Sequence, residues 1–235
     1  MVPLAAELVD EVRRALGQEA DPVKAPEMQR YMKSAMPFRG INAPLLRKRC
    51  NQLFTAHRLP DEAAWRDAVL ELYDGAGYRE ERYAAVALTG HRYYREHQRP
   101  DVLGLYRHLV VTGAWWDLVD TIASNRVGPV LRAFPDEVTP AMREWATDDD
   151  LWVRRTAVLS QLGSKAATDT ELLRFVLERN LEDSLHGREF FIRKAVGWAL
   201  RQHARQDPDW VRAFVAEHGD RLSGLSRREA LKHLH

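Results

Sequence analysis

The chain has 235 residues, 45% of them hydrophobic, which is enough to bury a full core and excludes a disordered tail. Cys50 stands alone, which rules out an internal disulfide framework or a cysteine-built metal cluster and leaves a partly buried thiol as its expected state. Net charge is only +1, but residues 1–150 hold 20 lysines and arginines against 23 acids, while residues 151–235 hold 15 against 11. A polyanion partner would therefore meet the C-terminal third, although a solvated neutral surface gives the same modest asymmetry.

From the N-terminus onward, apolar residues recur at intervals of three and four. Leu4, Leu8, Val9, Val12 and Leu16 open the series, and Leu172, Leu173, Val176 and Leu177 continue it. Glu7, Asp10 and Glu11 interrupt the first stretch, so neither a signal peptide nor a membrane span is expected, and the protein reads as soluble, cytoplasmic and monomeric. Breakers including Gly17, Pro44, Pro60, Pro100, Gly113, Gly128, Gly163, Pro208 and Gly224 cut the chain into about fourteen short helices. No segment predicts a strand. Helix pairs of about 40 residues favour an all-α, HEAT-like helical-repeat solenoid over a globular bundle, with residues 1–235 as a single domain and a concave binding face.

Four segments carry candidate chemistry. In Thr112–Ile122, a glycine break leads into a helix on which Trp116 and Asp120 share a face, while Trp115, Leu118, Val119 and Ile122 form the apolar stripe. Packing of Trp116 on a neighbouring repeat, with Asp120 bonded to an arginine, is the plain alternative. In Leu151–Leu159, one of the paired Arg154 and Arg155 is expected near a groove. In Phe190–Arg205, the row Arg193, Gly197, Arg201 and Arg205 would offer a basic face with a gap for a phosphate backbone, edged by Lys194 and Trp198; a solvated helix face with a core tryptophan fits equally. In Ser226–Lys232, Ser226 is the expected helix cap with Glu229 completing a capping box, which would place Arg227 and Arg228 at a helix start, facing a partner or solvent. A phosphate loop, a zinc-binding HExxH pair and a serine elbow are all absent from the sequence.

Taken in order, PEMQRYMK (26–33), GINAP (40–44), WWDLVD (115–120), LWVRR (151–155), FFIRKAVGW (190–198) and LSRREA (225–230) resemble the AlkD-like DNA alkylation repair glycosylases over nearly the whole chain. The resemblance implies a concave basic face on double-stranded DNA, a catalytic Asp120, sugar-facing Trp116 and Trp198, an active-site Arg155, and Tyr31 as a further aromatic near the lesion. The expected DNA contacts add Asn42, Arg47, Lys48, Arg154, Arg193, Lys194, Arg201, Arg227 and Arg228, with no cofactor and no metal. The implied activity is that of a monofunctional glycosylase. It would excise cationic N3- and N7-alkylated purines, such as 3-methyladenine and 7-methylguanine, from duplex DNA without extruding the base into a pocket. The physical logic is independent of the likeness: a cationic purine leaves as a neutral base, so the enzyme must chiefly stabilise a positive sugar and position a water. A non-catalytic HEAT-like DNA-binding protein is the alternative, as is a protein-binding adaptor, and the presence of Trp116, Asp120 and Trp198 together argues against the non-catalytic DNA binder.

Overall fold

The computed structural model describes residues 4–234. Among the described residues there is no strand; fourteen α-helices, with short 3-10 and π turns between them, make up the regular structure. No helix among them is long and apolar enough to cross a membrane. The chain forms two compact units, one up to Gln98 and one from Arg99 onward.

In the first unit, α1 (Leu4–Gln18) buries Ala5, Leu8, Val9, Val12 and Leu16 on one stripe. That stripe packs on α3 (Ala43–Ala56), α4 (Glu62–Asp74) and α5 (Arg79–Thr89). Between α2 (Ala25–Met32) and α3 the chain turns through Gly40 at φ 85°, where a Cβ would lie 2.2 Å from the Asp21 carbonyl oxygen. Glu80, fully buried, closes this turn by accepting from the backbone N–H groups of Arg39, Gly40 and Ile41 at 2.9, 3.0 and 3.2 Å. Asn42 then caps α3, its side-chain oxygen accepting from the Leu45 N–H at 3.0 Å. Cys50 is buried in this core, and burial pushes its thiol up to about 12, an inert group at neutral pH.

The second unit contains α6 (Leu103–Gly113), α7 (Trp116–Ile122), α8 (Gly128–Ala133), α9 (Pro135–Trp145), α10 (Leu151–Leu159), α11 (Thr170–Glu178), α12 (Phe190–His203), α13 (Pro208–Glu217) and α14 (Gly224–Ala230). Helices α7, α10, α12 and α14 pack in a row, each on the next; α9 and α11 pack on one another and on α10, and α13 packs on α12 and α14. This is a helical-repeat stack. Its core includes Val158, Leu159, Leu173, Leu177, Ile192, Val196, Leu200 and Phe214. Asp150, Asp169 and Asp207 cap α10, α11 and α13 through their carboxylates.

The structure departs from two local expectations. Gly128 does not end a helix: α7 runs through a π turn, Ala123–Val127, directly into α8. Pro129 explains the wide turn, because its missing N–H and its ring are incompatible with a regular turn closed on the carbonyl four residues earlier. Gly128 is required instead by packing, since a Cβ there would lie 2.5 Å from the Ser160 carbonyl oxygen. At the other end of the unit, Ser223 rather than Ser226 caps α14, accepting from the Ser226 N–H at 2.9 Å. The helix therefore starts earlier, and Arg227 and Arg228 fall in its last turn, where positive charge is favourable.

Candidate active site

The site begins with a backbone device. Helix α6 ends on Ala114 in the left-handed region (φ 39°), a conformation that costs a non-glycine residue roughly 1 kcal/mol, and the chain swings into the extended Trp115 before α7 starts. Trp115 is thus outside the helix rather than on its apolar stripe. Its ring meets those of Trp152 and Phe191 at 5.9 and 5.3 Å between centroids, and the latter two lie 4.9 Å apart. The cluster ties together the N-terminal edges of α7, α10 and α12. On α7, Leu118, Val119 and Ile122 are buried, which leaves Trp116 and Asp120, one turn apart, half-buried on another face.

Arg155, on the middle of α10, reaches Asp120 with a two-pronged fork. Nε donates to Oδ1 at 2.7 Å and Nη2 to Oδ2 at 2.9 Å, while Nη1 donates to the Phe191 carbonyl. The guanidinium side chain is only 5% exposed and the carboxylate 16%. Such a fork fixes the plane of the carboxylate as well as its position. Burial raises the Asp120 carboxyl above the ordinary aspartate value, and the Arg155 fork only partly offsets it.

Beside this pair lies a cleft of about 230 Å³. Trp116 and Arg155 line it from α7 and α10; Phe190, Phe191, Lys194, Trp198 and Arg201 line it from one face of α12; and Glu229 lines it from α14. Trp116, Arg155, Trp198, Lys194 and Arg201 are therefore brought together, with Asp120 on the guanidinium of Arg155. The sequence reading assigns none of Phe190, Phe191 or Glu229 to this site. The spacing of Phe190, Lys194, Trp198 and Arg201, at four, four and three residues, is the signal that would have placed Phe190 there.

Other expected contacts have different roles. Arg154 is buried, and its guanidinium is committed to the carbonyls of Asp148, Arg179 and Thr147, so it is an anchor for the α9–α10 and α11–α12 connections rather than a phosphate ligand. Gly197 opens no gap for a phosphate: a Cβ there would lie 2.7 Å from the Glu229 Cβ and 3.1 Å from Ser226 Cα, so the glycine admits α14 against α12. Arg193, half-buried, receives the Ser226 hydroxyl on its backbone carbonyl. Arg205 lines a separate cavity of about 240 Å³ with Lys165 and His203. Arg227 and Arg228 are exposed, the former donating to the Gly219 carbonyl. In the first unit Tyr31 is 77% exposed on α2, Arg47 and Lys48 are exposed on α3, and Asn42 is occupied as the α3 cap.

The family model described as DNA alkylation repair enzyme matches residues 12–234. A solved structure, the predicted DNA alkylation repair enzyme from Enterococcus faecalis, superposes with a TM-score of 0.77 at 31% sequence identity, covering 92% of this chain and 97% of that one. No curated protein matches the chain.

Proposed function

The chain belongs to the DNA alkylation repair enzyme family, and from that premise we propose that it is a monofunctional DNA glycosylase. It hydrolyses the N-glycosidic bond of cationic N3- or N7-alkylated purines in duplex DNA. The observation that carries this reading is the Asp120–Arg155 fork, at 2.7 and 2.9 Å, at the wall of a cleft that Trp116 and Trp198 also line.

When the bond between C1′ and the purine nitrogen breaks, its electron pair neutralises the departing cationic base, so little general acid is needed. Positive charge moves to the sugar. In this reading the Asp120 carboxylate stabilises that charge and receives the proton of the water that bonds to C1′, and a carboxyl raised by burial is a better base than an ordinary one. The faces of Trp116 and Trp198 add cation–π attraction of roughly 0.5–2 kcal/mol each. Arg155, bonded through Nε and both terminal nitrogens, acts by orienting Asp120. The products are a free alkylpurine and an abasic site.

Aromatic faces and cations dominate the cleft. This favours engagement of sugar and backbone with the base left stacked, and selection by lability of the glycosidic bond. The test is single-turnover release of 7-methylguanine from a methylated duplex by the native protein and its Asp120→Asn variant. Release by the former and a loss of about a hundredfold or more in the latter are expected. Duplex binding without release by the native protein would replace this reading with that of a non-catalytic DNA binder.

A further inference from the structure

Glu229 is the one acid among the cleft residues, and its placement is specific. It descends from α14 over Gly197 of α12, close enough that any side chain at 197 would collide with it. Lys194 lies one turn before Gly197 and Arg201 one turn after. Glu229 takes both: Lys194 Nζ donates to Oε1 at 3.2 Å, and Arg201 Nη1 donates to Oε2. The carboxylate is 18% exposed. Burial alone would raise its carboxyl, but the Lys194 bond and the field of Arg201 overcome this and hold it below the ordinary glutamate value. The trio carries one net positive charge where two cations alone would carry two.

We propose that Glu229 is a specificity-determining positioning residue: an internal counterion that fixes Lys194 and Arg201 on the cleft wall and limits the hold of the cleft on undamaged duplex. The inference rests on the reading of the cleft as the DNA site. Its logic is a difference between two states. Undamaged DNA offers phosphates, whose attraction for lysine and arginine supplies nearly all non-specific affinity, and a carboxylate already bound to those cations subtracts from it. The transition state of glycosidic cleavage adds a positive sugar, which a second nearby carboxylate does not oppose. Glu229 thus weakens binding that leads nowhere more than binding that leads to reaction.

The experiment compares the native protein with Glu229→Gln, reading affinity for an undamaged labelled duplex across a salt series and the single-turnover rate of 7-methylguanine release at saturating protein. The glutamine variant is expected to bind undamaged duplex about fivefold more tightly at low salt. Its log–log salt slope should steepen by up to about one, and its saturated rate should fall as the two cations lose their fixed spacing. Unchanged or weaker binding with an unchanged slope overturns the proposal. The Lys194→Gln/Glu229→Gln double variant provides a second route, since it removes one charge of each sign. Native-like binding is expected, whereas the loss of a full phosphate contact would show that Glu229 was never a counterion. A native protein that neither binds duplex nor releases base would instead refute the glycosylase reading itself.

Discussion

Glu80 in the first unit and Asp120 in the second are carboxylates held differently. Glu80 closes the turn between α2 and α3 with three backbone N–H groups and has no exposed surface. Asp120 is held by the nitrogens of one side chain and keeps a 16% exposed edge. Bonds from the backbone make a carboxylate part of the loop it closes. A fork from a single arginine leaves lone pairs and charge available on the open side, which is what a reacting cation requires.

Exchanging the acid for its amide at each position breaks the comparison most directly. Asp120→Asn is expected to lower single-turnover base release by about a hundredfold or more, with some loss of melting temperature because the amide N–H faces the buried Arg155 fork, and an active Asn variant would remove Asp120 from the chemistry. Next in size is Arg155→Lys, which keeps the charge but cannot form the fork; a loss of about ten- to a hundredfold is expected. The same variant sharpens the pH dependence. Asp120 acts ionised and its carboxyl is raised, so activity should fall with acid through a midpoint above the ordinary aspartate value of 3.8. Because the Arg155 fork lowers that carboxyl, losing the fork should move the midpoint higher still, a shift visible in rate–pH profiles of the two proteins. Glu80→Gln should act in the opposite sense to Asp120→Asn. By setting an amide N–H against backbone donors it should cost about 1–3 kcal/mol in chemical denaturation while sparing the saturated rate. The smallest effect is expected from Trp198→Leu, about 0.5–2 kcal/mol in the single-turnover barrier, and full activity there would exclude cation–π contact with the sugar.

The helices are legible because apolar residues at three- and four-residue spacing line one side of a helix and would scatter over both faces of a strand. The turn between Trp116 and Asp120 follows from the same period. Spacing could not decide between Arg154 and Arg155, which are adjacent and both buried. Only the family resemblance favours Arg155, and only the fold shows that Arg154 is consumed by carbonyls. Glycine is the least legible residue. Gly128 and Gly197 read as a breaker and a gap, yet both are helical positions where another segment comes too close for a Cβ, a property of the partner rather than of the local sequence. Glu229 is hidden for a related reason: its role depends on two residues about thirty positions earlier, and a nearer serine offers a capping box that α14 does not use.

The π turn at Ala123–Val127 gives the second unit a sensitivity to chain length rather than to side-chain identity. Each residue of a helix advances the chain by about 100°, so the single residue absorbed by the wide turn sets the rotational phase between α7 and α8. A substitution within 123–127 leaves that phase alone. Loss of one codon there would change that phase by more than a quarter-turn while Pro129 still bars a regular turn, and so displace Trp116 and Asp120 relative to Arg155.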